Sequence, residues 1–230
     1  MARKIQWAGL TWTVRGTSAT TQGPGANWWS DSASSVWVDT AGKLHLKLRK
    51  EGTRWLAPEI YTDRTFKYGT FVWKIEGPTS SATGVLDKNV VLGLFTYQSS
   101  DLNNEIDIEL ARWGNASWPN LNYTVYPSRA SLWDAQQKAS YVKSSEMTLQ
   151  GNYTTQMFTW TSSQVRFSSK YGHSAGASSI LDWNTPNTPA ERVPQSACSV
   201  HMNLWICNGQ SAPSNGQEVE FVIHSFTYSP

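Results

Sequence analysis

Cysteine is scarce: Cys198 and Cys207 are the only two in 230 residues. On one strand they would stand about 30 Å apart at about 3.3 Å per residue, far beyond disulfide reach, so both are expected as free thiols. Long apolar runs are missing as well. No stretch approaches the roughly 18 apolar residues that suggest a membrane span, and the opening MARKIQWAGL holds no apolar signal core. Charge is sparse and nearly balanced, with 19 Lys and Arg against 17 Asp and Glu and no long basic run. The electrostatic signature of a nucleic-acid or membrane-surface binder is therefore absent, and neither partner is expected. There is no glycine-rich phosphate loop, no CxxC or HExxH metal spacing and no GxSxG elbow. His45, His173, His201 and His224 are scattered, so neither a cofactor nor a metal is expected.

Aromatic residues are abundant instead, with 13 Trp and 9 Tyr. Such rings fill cores, but they also offer flat apolar faces with a polar handle, onto which the C–H faces of sugars can lie. The apolar pattern has period two almost throughout: Leu10, Trp12, Val14; Leu44, Leu46, Leu48; Phe71, Trp73, Ile75; Val200, Met202, Leu204, Ile206. Val90 to Tyr97 is apolar nearly without a break, as in a strand covered on both faces. Met157–Trp160 and Val165–Phe167 bracket a turn and read as a hairpin, and Val219 to Tyr228 reads as a last strand that closes the sheet. Pro127 to Ser145 carries no clear pattern. Asn27, Trp28 and Trp29 lie in a Gly/Ser/Thr-rich loop, where they suit either a cleft rim or a plug for the sandwich edge. Many short alternating segments without helical periodicity predict an all-β, two-sheet antiparallel β-sandwich, and 230 residues fit one domain.

The most informative stretch is Glu105-Ile106-Asp107-Ile108-Glu109. In a strand Glu105, Asp107 and Glu109 share one face while Ile106, Ile108 and Leu110 share the other. Three carboxylates on one face repel each other, so stability does not explain them. Glycoside hydrolysis does need such a set: one carboxylate attacks the anomeric carbon and a second, kept protonated, protonates the leaving oxygen. Retention of configuration asks for carboxyls about 5–5.5 Å apart. Cα atoms four residues apart on a strand are roughly 13 Å apart, a gap that two glutamates leaning together can largely close. The plainer reading is a solvated acidic face that discourages aggregation.

EIDIE resembles the catalytic signature of glycoside hydrolase family 16 in its form without a bulge residue, typical of lichenases and xyloglucan-active enzymes. Met202-Asn203-Leu204-Trp205 resembles the family's second recognisable segment, and the likeness extends over roughly residues 36 to 228. It implies a curved jelly roll with a concave cleft, Glu105 as nucleophile, Asp107 as its assisting acid and Glu109 as general acid/base. It further implies substrate contacts from Glu59, Tyr97, Asn122, Asn203 and Trp205, and Trp113 and Trp118 could stack on sugars near the point of cleavage. Tyr61 stands where the lichenase pattern has arginine, and Thr124 where it tends to have tyrosine. His224 stands where relatives usually carry a calcium-ligating aspartate, and imidazole suits that hard cation poorly, so no calcium is expected there. The expected activity is retaining endo-hydrolysis of a β-glucan, mixed-linkage β-1,3-1,4 or β-1,3. A transglycosylase on xyloglucan-like polymers and a non-catalytic lectin-like module are the alternatives. A polymer substrate lies outside the cell, so a secreted monomer whose signal peptide has been removed is expected.

Overall fold

The computed structural model describes residues 2–16, 19–78, 86–98, 102–136, 138–148, 152–187, 189–208 and 211–230. In chain order its strands are β1 (Lys4–Trp7), β2 (Leu10–Val14), β3 (Trp28–Trp29), β4 (Val36–Val38), β5 (Leu44–Glu51), β6 (Arg54–Ala57), β7 (Glu59–Phe66), β8 (Gly69–Glu76) and β9 (Val90–Tyr97). They continue as β10 (Ile106–Ala111), β11 (Leu121–Val125), β12 (Tyr141–Ser145), β13 (Tyr153–Trp160), β14 (Val165–Tyr171), β15 (Ser179–Asn184), β16 (Cys198–Ile206) and β17 (Val219–Ser229). Two single-turn 3-10 helices, Ala130–Leu132 and Ala190–Arg192, complete the regular structure of the described residues.

The strands form two sheets, in the orders β1-β2-β7-β16-β9-β10-β11-β12 and β15-β14-β13-β8-β17-β5-β6-β3, with β4 added beside β5. This is the expected β-sandwich. Pairing is antiparallel except between β3 and β6, which run parallel. The alternating segments each turn one side inward: Leu44, Leu46 and Leu48 of β5 and Phe71, Trp73 and Ile75 of β8 are buried, as are Ile106, Ile108 and Leu110 of β10. Burying side chains of this size is worth about 1.5–3 kcal/mol each before entropy is counted. A polar thread crosses the core between the sheets. The Tyr123 hydroxyl shares a 2.6 Å hydrogen bond with Ser169, whose hydroxyl donates to Gln156, and Gln156 donates to Thr154.

One expectation changes. β17 does not close a sheet; it lies in the middle of one, hydrogen-bonded to β8 on one side and β5 on the other. An alternating strand has the same pattern whether it is central or at an edge, so its place could not be read from periodicity. A register shift between Ile223 and Ser225 sets His224 apart, and its Nε2 meets Glu76 at 2.7 Å. The unpatterned segment from Pro127 to Ser145 ends in β12, an edge strand with no fully buried residue.

The loop with the paired tryptophans is a plug. Asn27 and Trp29 are buried, and Asn27 ties the loop to β16 by donating to the Ile206 carbonyl and accepting from the Ile206 amide. Trp28 stacks under Arg54 and Trp29 under Arg15, at 4.1 and 4.3 Å. Both thiols are unpaired.

Candidate active site

Strand β10 is the floor of the site. Its register with β9 and β11 runs unbroken from Ile106 to Leu110, so no bulge interrupts the alternation, and Ile106 and Ile108 are sealed in the core. The acids must then emerge together on the opposite face. The turn before the strand is fixed by Asn104, buried and left-handed at φ 49°, a conformation that asparagine tolerates better than most residues. Its amide oxygen accepts from the Gln195 amide and its side-chain nitrogen donates to the Ser128 carbonyl. The Cys198 thiol donates to the Asn104 carbonyl; burial, then the charge of Glu105, pushes that thiol up to about 12.

Glu105, Asp107 and Glu109 all open into one cleft of about 930 Å³. Two rows of paired residues cross the sheet beneath it, perpendicular to the strands. One runs Tyr61, His201, Phe95, Asp107, Thr124, Val142; the next runs Glu59, Asn203, Gly93, Glu109, Asn122, Ser144. Gly93 makes room for the Asn203 side chain: a Cβ there would lie 2.5 Å from Asn203 Oδ1.

The acids are electrostatically unequal. Burial raises the Asp107 carboxyl well above the usual carboxylate range, and the charges of Glu105 and Glu109 and a hydrogen bond with Glu105 add to this. Asp107 therefore keeps its proton and shares it with Glu105. Glu109 is raised by burial to about 7. A carboxyl of that affinity is a proton donor at neutral pH and a base once it has given its proton away.

Of the other expected residues, Tyr97, Trp113, Trp118, Asn122 and Trp205 line the cleft. Trp113 and Trp118 are exposed, and Trp113 meets Trp205 edge-on at 6.1 Å. Arg112 shapes their loop by donating to the Ala116 and Trp118 carbonyls and pairing with Glu146 at 2.6 Å. Asn122 spends its amide inside the sheet, donating to the Ala111 carbonyl and accepting from Ser144. Asn203 lies on the same sheet face but is buried, and its Oδ1 has no hydrogen-bond partner.

Glu59 also lines the cleft, but both its oxygens are engaged: Oε2 by Arg15 at 2.8 Å and Oε1 by His201 Nδ1 at 3.0 Å. Burial raises its carboxyl, yet the His201 hydrogen bond and the charges of His201 and Arg15 outweigh burial and hold it below the ordinary value. Arg15, His201 and Phe95 were not foreseen as site residues. The strand alternation that placed Asn203 and Trp205 on one face places His201 there too, and that signal was available. Arg15 follows directly on β2, and nothing in its neighbourhood in sequence marks it. Among the described residues, no group of three or more His, Cys, Asp or Glu is placed to hold a metal ion.

No protein-family model matches the sequence, and no curated protein matches it significantly. The structure does have close likenesses. A glycosyl hydrolase family 16 protein from Mycobacterium smegmatis is similar at TM-score 0.65 and 18% identity, over 94% of this chain and 90% of that one. A Bacillus licheniformis β-glucanase is similar at TM-score 0.64 and 16% identity, over 95% and 92%. A Mycobacterium tuberculosis protein described as an immunostimulatory antigen and pseudo β-1,3-glucanase is similar at TM-score 0.66 and 19% identity, over 95% and 91%. With sandwich, sheet order and cleft already described, this chain has the fold shared by glycoside hydrolase family 16 proteins and β-glucanases.

Proposed function

We propose that this protein is a retaining endo-glycosidase that hydrolyses internal β-linkages of a β-glucan, mixed-linkage β-1,3-1,4 or β-1,3, by double displacement. The observation that carries the reading is one open cleft lined by all three acids, Asp107 and Glu109 from the unbroken register of β10 and Glu105 from the residue just before it, with burial raising Glu109 to about 7. Glu105 attacks the anomeric carbon, the glycosidic C–O bond breaks, and Glu109 passes its proton to the departing oxygen. Glu109, now a carboxylate, removes a proton from water, whose oxygen displaces Glu105 and restores the starting configuration. Asp107 stabilises the resting state of Glu105 by sharing its proton. The tryptophans at the rim offer stacking surfaces for neighbouring sugars. In this reading the protein meets its polymer outside the cell and acts as a monomer without cofactor.

The test is reducing-sugar release from barley glucan, lichenan, laminarin, xyloglucan and agarose. Glu105→Gln and Glu109→Gln should each lower turnover by about 10²–10⁴ on whichever glucan is cleaved. Undiminished hydrolysis by either variant would refute the assignment. Sugar binding without release by the unaltered protein would favour a lectin-like module, and transfer to an added acceptor oligosaccharide would favour a transglycosylase.

A further inference from the structure

We propose that His201 is a substrate-binding residue that hydrogen-bonds a sugar hydroxyl through Nε2, and that Glu59 and Arg15 are positioning residues that hold its Nδ1 side turned away from the substrate. The inference rests on the reading of the cleft as a β-glucan site. A histidine with a purely structural role usually satisfies both ring nitrogens. Here Nδ1 is taken by Glu59 at 3.0 Å, while no described residue bonds Nε2, and Nε2 is not among the buried polar atoms without partners. The residue lines the cleft, and with Nδ1 held by Glu59, Nε2 is the ring nitrogen left for a substrate.

The ring cannot turn away. Tyr61 stacks on it at 5.1 Å and 18°, Phe95 stacks at 5.0 Å and 28°, and Tyr97 meets it edge-on at 5.6 Å. These contacts follow from register, since His201 pairs with Tyr61 on one side and Phe95 on the other. A side chain ordered before binding loses little further entropy on binding. The orientation of the ring nitrogens is fixed in turn. Glu59 is ionised, so Nδ1 carries the hydrogen that it receives, and Nε2 is the ring nitrogen left to hydrogen-bond a sugar hydroxyl. Arg15, which can only donate, holds the other Glu59 oxygen, stacks on Trp29 and donates to the Gly23 carbonyl. Glu59 thus acts on the sugar through His201.

The experiment uses the full chain carrying Glu105→Gln, with tryptophan fluorescence reporting binding of a mixed-linkage glucotetraose and of laminaritetraose. His201→Asn keeps a donor near Glu59 but removes the cleft-facing nitrogen; His201→Gln keeps a polar group near the Nε2 position. We expect the Asn variant to weaken Kd roughly three- to tenfold, the value of one neutral hydrogen bond, and the Gln variant to recover most of the loss. With Glu105 intact, His201→Asn should raise KM by the same factor and leave kcat within about twofold. Equal binding by the parent and the Asn variant would overturn the inference alone, as would a Gln variant as weak as the Asn variant. A parent that binds neither oligosaccharide would overturn the β-glucan reading and this inference with it. Glu59→Gln tests the positioning role separately. With Arg15 claiming its oxygen, the new amide must donate to Nδ1, so nitrogen NMR at pH 8 should show His201 change from the Nδ1–H to the Nε2–H form. An unchanged tautomer would overturn the role of Glu59.

Discussion

Replacing Glu109 with Gln should lower turnover and also stabilise the fold, and the stabilisation should depend on pH. Burial holds the Glu109 carboxyl at about 7 against an ordinary 4.5. The folded chain therefore binds this proton more tightly than the unfolded chain, and stability falls as pH rises from about 4.5 to about 7. Treating the two states as one titrating group gives a penalty of about 3 kcal/mol at pH 8 and about 0.8 kcal/mol at pH 5. These are upper figures, because Glu109 keeps part of its surface in the open cleft and solvent screens it. Gln matches the neutral acid in shape and removes the penalty. At about 2–4 °C per kcal/mol for a chain of this size, Tm should rise by up to about 6–12 °C at pH 8 and by only about 2–3 °C at pH 5. Loss of the Glu109 charge also relieves Asp107, which acts in the same direction. Thermal unfolding of both proteins across this pH range is the assay. A Tm difference that does not change with pH, or that is larger at pH 5, would refute the claim that Glu109 is held protonated by burial.

Other outcomes follow from particular contacts. Asn27→Ala should destabilise the protein by about 2–3 kcal/mol in urea unfolding, because it strands the amide and carbonyl of Ile206 that the side chain now satisfies. Gly93→Ala should lower kcat/KM at least tenfold with a stability loss of about 1–3 kcal/mol, since its Cβ would displace Asn203 beside Glu109. In the folded state Cys198 should resist thiol reagents at pH 8, its thiol being buried and raised to about 12, and it should react on unfolding.

What the sequence made legible is what period two can carry. The acid face of β10 and the apolar backs of β5, β8 and β16 all follow from which side chains must be dry. Neighbours across the sheet are harder to read. His201 meets Glu59 from a strand more than a hundred residues away, and no local pattern says that both Glu59 oxygens are engaged there. Trp28 and Trp29 look the same in sequence whether they face a sugar or cover an edge; their arginine partners, Arg54 and Arg15, decide it. The edge strand β12 escaped because a strand with no buried residue has no alternation to show.

In the proposed double displacement Glu105 carries the sugar between the two steps. Incubation with an activated 2-fluoro-β-gluco-oligosaccharide, followed by proteolysis and mass spectrometry, tests it most directly. One added glycosyl group per chain is expected, on the peptide and side chain of Glu105; an adduct on Glu109 or elsewhere, or turnover of a β-glucan with no adduct at all, would overturn the assignment of Glu105 as the nucleophile.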